Sequence, residues 1–383
     1  MPLILVSNPV CGNKSGHAFV QQHVLPLLTK HGIPVDESVV TNAPNHAGQA
    51  VLDFIHRSQS QHLDNINIIL SSGDGTLHEI INALLTSNTE GFPNQPLTRL
   101  SIALVPNGTA NALYSSLFPR FEDNVSYKLQ AVQAFVSNPR RSNPLTIAET
   151  TLDNPDLTIK TIYSAVVTST ALHASILHDS EELREEYPSL NRFKVAAKKN
   201  ITRWYESDVL LLPTANGEIS KYDPRTQTFE QVPNRAENTE GVLLEGPFAY
   251  FTSTVNVDRL EPLFLISTLQ SKIPPTVASM EIVALRPKRS PMSQGDLPED
   301  HERFAELTSA VLYAAYKGTH ADLTFDNGRG DGEDDTLAIA EYIRCGGWKW
   351  SPHTSDDAAH FLCADGSIFH IKRGGTALCK LQS

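Results

Sequence analysis

Two short runs of small residues stand out for what they could hold. Ser72-Gly73-Asp74-Gly75-Thr76 follows the strand-like Ile66-Asn67-Ile68-Ile69-Leu70 and feeds the helix-like pattern Leu77, Ile80, Ile81, Leu84, Leu85. Pro106-Asn107-Gly108-Thr109-Ala110-Asn111 follows Ile102-Ala103-Leu104-Val105 and opens onto Ala112, Leu113 and Leu117. A strand, a tight turn and a helix aim backbone N–H groups and a helix N-terminus at one point, which suits an anion. Asp74 inside such a turn needs a reason, and magnesium–phosphate chemistry supplies one.

The commoner nucleotide motifs do not fit. A P-loop needs Gly, four residues, then Gly-Lys-Ser/Thr, and Gly12-Asn13-Lys14-Ser15 has Asn13 where the second Gly should stand. The dinucleotide fingerprint fails after Gly73, because its third Gly would fall at His78. A purely structural reading competes with phosphate binding. Small residues are ordinary between a strand and a helix, and Thr76 with Glu79 fits a capping box. The pairing of two such turns in one α/β frame favours phosphate.

The elements that must position these turns follow from periodicity. Over 1–144, strand-like runs at 3–6, 66–70 and 102–105 alternate with helical patterns around Val20 to Leu28, at 45–56 and at 125–136. That alternation predicts a parallel sheet covered by helices, with ligands beyond the carboxyl ends of its strands. Both turns, and Asn8-Pro9, fall there. From 145 to 383 short strand-like runs recur, at 157–167, 209–212, 248–254, 263–266, 280–285, 339–343 and 361–363. Pro, Gly, Asn and Asp separate many of them, which predicts an antiparallel β-sandwich. Helical stretches are expected at 180–201 and 304–317. Surface loops are expected at 214–241, 286–302 and 326–335.

Composition bounds the function. The chain has 383 residues, with 31 basic and 43 acidic side chains and a net charge of −12. That balance argues against a nucleic-acid partner, whose footprint is basic. A local patch can still meet a membrane; Lys194, Lys198, Lys199 and Arg203 form one basic cluster, Lys288 and Arg289 a smaller one. No apolar run reaches spanning length, and 3–6 reads as a first strand, so a cytoplasmic protein is expected. Cys11, Cys345, Cys363 and Cys379 form no C-x-x-C pair, so neither a disulfide framework nor a zinc site is indicated. Cys11, near the proposed phosphate site, reads as an incidental thiol.

The segments 72–85 and 106–117, with the opening Asn8-Pro9, resemble the catalytic domain of the diacylglycerol and sphingosine kinase family. That family carries Asn-Pro after its first strand, Gly-Gly-Asp-Gly-Thr/Leu before a helix, and Pro-x-Gly-Ser/Thr-x-Asn. The sphingosine kinase branch looks most similar, through Leu77-His78-Glu79-Ile80-Ile81-Asn82 and Asn111-Ala112-Leu113-Tyr114-Ser115-Ser116-Leu117. The likeness is strong over 1–120 and patchy beyond, at Ser180-Glu181-Glu182-Leu183-Arg184, at Tyr316-Lys317-Gly318-Thr319-His320 and over 347–367.

The resemblance implies an α/β nucleotide domain of the NAD kinase/diacylglycerol kinase type over 1–144. It implies a C-terminal antiparallel β-sandwich domain over 145–383 that binds lipid and completes the active site. It implies ATP and Mg2+ as cofactors. Asn8, Pro9, Val10 and Thr41 would lie beside the nucleotide. Ser72, Gly73, Gly75 and Thr76 with Gly108, Thr109 and Ala110 would hold phosphates. Arg184 and Arg192 would reach the ATP phosphates, with a surface salt bridge as the competing reading. Asp74 and Asp365 would be catalytic, hold the metal through water and supply the base, either of them serving. Gly366 and Ser367 complete the late motif.

Two departures from the family pattern bear on function. The late Asp-Gly-Glu motif aligns on Asp365-Gly366-Ser367, so Ser367 replaces the Glu; Asp331-Gly332-Glu333 spells it literally but precedes the stretch that should come first. Where sphingosine kinases have carboxylates, one of which reads the lipid ammonium, this chain has Ser175 and Leu177, with His173, His178 and Asp179 nearby. A desolvated ammonium without a carboxylate partner is costly to bind, so a neutral diacylglycerol- or ceramide-like alcohol fits at least as well as a sphingoid base.

The expected activity is ATP-dependent phosphorylation of a primary lipid hydroxyl. The alternatives are a NAD kinase and a catalytically impaired nucleotide- or lipid-binding pseudokinase. Expected partners are the lipid substrate and a transient membrane surface through peripheral association, with a homodimer as an option and no nucleic acid.

Overall fold

The computed structural model describes residues 2–59, 65–89, 99–139, 142–156, 158–187, 191–233, 241–291, 293, 295–325, 337–353 and 356–382. The chain divides into two compact units, Met1–Leu145 and Thr146–Ser383.

The first unit is built on four parallel strands, β1 (Leu3–Ser7), β2 (Glu37–Val40), β3 (Asn65–Ser72) and β4 (Arg99–Pro106), in the order β2-β1-β3-β4. Every residue of β1 is buried, as expected of a parallel strand with both faces covered. Leu3, Leu5, Ile69 and Val105 pack with Val20, Val24 and Leu28 of the first helical run and Val132 of the helix Gln130–Ser137. That first run passes through a π turn at Val20–Val24. Strand β2, whose residues alternate between half-buried and exposed, carries too weak an apolar signal to read from the sequence.

Register decides where the two glycine turns emerge. Ser7 pairs with Val40 and with Ser71, Ser71 with Val105, and Ser72 with Pro106. The four strands therefore end level. Thr41, Asn8, Gly73 and Asn107 leave the sheet along one carboxyl edge.

The second unit holds two sheets whose pairings are antiparallel. Eight strands run in the order Thr228–Gln231, Ser220–Asp223, Glu341–Cys345, Met280–Leu285, Tyr250–Thr254, Val167–Thr170, Phe361–Ala364, Ser367–His370. Six run Val242–Glu245, Ser207–Leu212, Gly347–Pro352, Thr376–Leu381, Ala148–Asp153, Ile159–Ser164. Phe251 of the larger sheet meets Trp348 of the smaller edge-on, with ring centroids 5.4 Å apart, so aromatic burial joins the two layers. This is the expected sandwich.

Several local expectations are corrected. The run at 157–167 is broken: Ile159–Ser164 lies in one sheet and Val167–Thr170 in the other, with the chain crossing at Ala165-Val166. The 263–266 run is a turn closed by a single Glu261–Phe264 bridge. The polar 214–241 stretch contains the hairpin Ser220–Asp223/Thr228–Gln231. Segment 286–302 holds a 3-10 turn, Pro287–Arg289, and the start of the helix Pro298–Ala315. The 180–201 stretch is two helices, Ala171–Glu182 and Asn191–Asn200. Segment 326–335, with Asp331-Gly332-Glu333, lies outside the described residues.

Candidate active site

The two glycine turns touch. A Cβ on Gly108 would stand 2.3 Å from the Gly73 Cα and 2.9 Å from its N; one on Gly73 would stand 2.9 Å from the Gly108 Cα. Only hydrogen fits between them, which explains the glycine at both positions. Asp74 begins the helix Asp74–Thr89 and reaches into the second turn. Its carboxylate accepts the Ala112 N–H at 2.7 Å and the Leu113 N–H at 3.2 Å. It thus covers amides at the start of the neighbouring helix Ala112–Leu117, a favourable place for a negative charge.

The second turn is closed from within by Asn111. Its backbone is left-handed, with φ 52°, a conformation that asparagine tolerates. Its Oδ1 accepts the Gly108 N–H and its Nδ2 donates to the Gly108 carbonyl, both at 2.9 Å. The Gly108 amide, expected on a phosphate, is therefore engaged by Asn111, and Gly108 serves the close approach of the turns. The amides of Gly73, Gly75, Thr109 and Ala110 remain the candidates for phosphate.

The first loop is tied to the same place. Asn8 donates from Nδ2 to the Thr76 hydroxyl at 3.1 Å, and Thr76 shares a 2.6 Å hydrogen bond with the Ser72 hydroxyl. Ser72 thus fits the turn and gains a partner that a glycine would lack. Thr76 lies inside the helix, and the Glu79 carboxylate accepts the Asn45 N–H, so the Thr76–Glu79 capping box does not form. Burial raises the Glu79 pKa, opposed by that bond and by His78. Thr41 is buried where β2 ends, and its N–H donates to the Ser7 carbonyl. Pro9 is half-buried and Val10 is exposed.

Three residues that were given no role at the site from the sequence contribute to its architecture. Cys11 donates from Sγ to the Asn8 carbonyl at 3.1 Å and the Asn107 carbonyl at 3.3 Å, bracing the first loop against the second turn. It is no incidental thiol; burial raises its pKa and keeps it in the donor form. Gly12 has φ 52°, and a Cβ there would stand 2.3 Å from the Asn107 carbonyl oxygen. Asn107 is buried and donates from Nδ2 to the Ser71 hydroxyl at 2.8 Å. The literal Pro-x-Gly-Thr-x-Asn spacing was the available signal for Asn107 and Asn111.

The remaining candidates lie in the second unit. Asp365 and Gly366, with φ 47° and 93°, form the two-residue turn of the hairpin Phe361–Ala364/Ser367–His370. Positive φ at both positions is the type I′ geometry whose twist suits a hairpin. The Asp365 side chain turns inward and is 4% exposed. Its carboxylate accepts the N–H groups of Ala165, Val166 and Val167 at 2.7, 2.9 and 2.8 Å, at the point where the chain crosses between sheets. That geometry is an anchor for the crossover. Ser367 is half-buried at the start of the outer strand.

His173, Ser175 and Leu177 sit on the helix Ala171–Glu182. Ser175 is buried and Leu177 half-buried. His173 shares a 2.6 Å hydrogen bond with the Ser169 hydroxyl, and burial pulls its pKa down to about 4, so it is neutral at neutral pH. The trio supplies no negative charge. On the same helix Asp179 accepts from Lys199 and Asn200, each at 2.8 Å, and from His178 at 3.0 Å. Arg184 pairs with Glu181 at 2.7 Å on an exposed face, the salt-bridge reading. Arg192 is buried, its guanidinium 4.5 Å from the Phe193 ring centroid.

Residues 2–139 match the model of the diacylglycerol kinase catalytic domain. The chain is 30% identical over 113 residues to sphingosine kinase 2 of Homo sapiens, covering 29% of this chain and 15% of that protein. It is 32% identical over 131 residues to sphingosine kinase B of Dictyostelium discoideum, covering 34% and 15%. It is 25% identical over 262 residues to sphingosine kinase 1 of Arabidopsis thaliana, covering 64% and 49%. The matched stretches thus span at most about half of those relatives. Two solved structures from Bacillus anthracis str. Sterne, titled as diacylglycerol kinases, the first as a tentative assignment, share the fold. Their TM-scores are 0.53 and 0.50 at 14% identity, covering 100% and 99% of this chain and 94% and 93% of theirs. Over its first unit the chain is thus similar to the diacylglycerol kinase catalytic domain and to sphingosine kinases, and along its length it shares the fold of the two Bacillus anthracis structures.

Proposed function

We propose that this protein transfers the terminal phosphoryl group of ATP to the primary hydroxyl of a membrane lipid. The observation that carries the reading is the contact of Gly73 with Gly108, with Asp74 bridging the two turns. Similarity to the diacylglycerol kinase catalytic domain and to sphingosine kinases supports a phosphotransferase that uses ATP. Phosphoryl transfer asks the protein mainly to position the reactants and neutralise charge. Backbone amides of Gly73, Gly75, Thr109 and Ala110 bind phosphate oxygens. Charge on the phosphates would be neutralised by magnesium bound with the nucleotide. Asp74, half-buried beside the exposed Gly75 and oriented by two amides, would hold the metal through water. The lipid oxygen forms its bond to phosphorus as the bond to the ADP oxygen breaks, and Asp74 accepts the hydroxyl proton. Asp365, sealed by three amides, fits a positioning role better than that of base. The uncharged trio His173, Ser175 and Leu177 favours a neutral diacylglycerol- or ceramide-like acceptor over a sphingoid base. Peripheral contact with a bilayer follows from such a substrate.

A second reading, a nucleotide-binding pseudokinase, is favoured by the commitment of Asp365 together with Ser367 in place of the family's Glu. Incubation with labelled ATP and mixed lipid extract, or with NAD, separates the readings. A labelled lipid is the expected product. Label in NAD alone would make the chain a NAD kinase. Tight ATP binding with no transfer to any acceptor would favour the pseudokinase.

A further inference from the structure

The outer end of the helix Pro298–Ala315 differs from its start. Glu299, Asp300, Glu302 and Glu306 crowd the first half, and residues 307–316 carry no charge. At that uncharged end Tyr313 is 67% and Tyr316 49% exposed, and Leu263 of the neighbouring turn is 60% exposed. These belong to one surface. The Leu265 N–H donates to the Ala315 carbonyl at 3.0 Å, and the rings of Phe264 and Tyr316 lie 5.1 Å apart. Two exposed lysines border it. Lys317 lies over the Tyr313 ring at 5.2 Å, and Lys272 donates to the Gly318 carbonyl at 2.6 Å. Glu261 stands beside Tyr316, and partial desolvation raises its pKa.

We propose that the surface formed by Leu263, Tyr313 and Tyr316, flanked by Lys272 and Lys317, docks on an anionic lipid bilayer. Tyrosine and leucine insert at the boundary between headgroups and acyl chains, with phenol oxygens staying among the headgroups. Long lysine stems keep their ammonium groups at phosphate level. The charge argument selects the occupant. On a chain of net charge −12, an anionic membrane repels much of the surface, and an apolar end bounded by two cations combines insertion with local attraction, which a basic cluster without exposed aromatic rings does not. The use of this contact rests on the lipid-kinase reading; its geometry does not.

The test is co-sedimentation of the full chain with vesicles of phosphatidylcholine alone and with added phosphatidylserine. Wild-type protein is expected to bind the anionic vesicles. The double substitution Leu263→Ser/Tyr313→Ser should weaken that binding about tenfold. Lys272→Ala/Lys317→Ala should do so to a similar degree, about tenfold, with the loss relieved when phosphatidylserine is omitted. Glu302→Ala, on the acidic half of the helix, serves as control. Thermal unfolding confirms that each variant folds. Phosphate transfer to a detergent-dispersed lipid is measured alongside and should be unchanged. Vesicle binding unaltered by both double substitutions would overturn the proposal, as would a wild-type protein that ignores anionic vesicles. A concentration-dependent dimer dissolved by the same substitutions would replace the bilayer with a second copy. Vesicle binding by a protein that phosphorylates no lipid would leave the docking surface standing and remove the kinase reading.

Discussion

Asp74 and Asp365 make the same kind of bond in opposite surroundings. Both carboxylates accept backbone N–H groups from a turn distant in sequence. Asp74 is half-buried beside the exposed Gly75, and two amides hold it. Asp365 is buried in a hairpin turn, and three amides hold it. The first arrangement orders a carboxylate and leaves it half-exposed. The second uses a carboxylate to fix a crossover between two sheets. An aspartate in a motif is therefore not yet a catalytic group; its accessibility decides what it does.

The largest effect should come from Asp365→Asn. The carboxamide removes the charge and turns an NH2 group toward a cluster of N–H donors. Destabilisation of about 4 kcal/mol is expected in urea unfolding followed by tryptophan fluorescence. A cost below about 1 kcal/mol would return Asp365 to the list of chemical groups. Next comes Gly108→Ala. Its Cβ meets the Gly73 backbone, which cannot rotate away, so about 3 kcal/mol of stability and measurable ATP binding by calorimetry should be lost. Normal ATP affinity in that variant would show that the touching turns are not the phosphate site.

Asp74→Asn should separate the two roles. An amide oxygen still caps a helix, so the stability cost is about 1 kcal/mol. Turnover should fall about 100-fold. Wild-type turnover would remove Asp74 from the reaction. The smallest effect concerns acid stability. Burial pushes the Asp179 pKa up, but Lys199, His178 and Asn200 outweigh it and hold the group down at about 2. A carboxylate depressed on folding stabilises the fold above its unfolded pKa of about 4 and ceases to do so as pH falls through the folded value. The second unit should lose about 1–2 kcal/mol between pH 4 and 2, and Asp179→Asn should flatten that step. High salt should shrink it, because the Lys199 ammonium is largely exposed.

The α/β alternation of the first unit and the recurrent strands of the second were legible because burial imposes periods that survive in one sequence. The glycines at 73 and 108 were legible as turn residues, but nothing in their spacing says that they touch. Strand β2 was missed because its burial alternates without a strong apolar signal, and the Thr228–Gln231 hairpin because an edge strand can be polar. Arg184 and Arg192 look alike in the sequence, yet one is an exposed ion pair and the other is buried.

By itself the sequence determined the strand–turn–helix units, the residues in each turn and the change of texture near residue 145. Those are local properties, set by propensity and hydrophobic period. Tertiary structure alone decided that four strands end level, that Gly73 meets Gly108, that Asn111 takes the Gly108 amide, and that Asp365 faces inward. Each depends on register and on amides supplied from distant parts of the chain, and a hydrogen bond across 38 or 200 positions leaves no trace in local spacing.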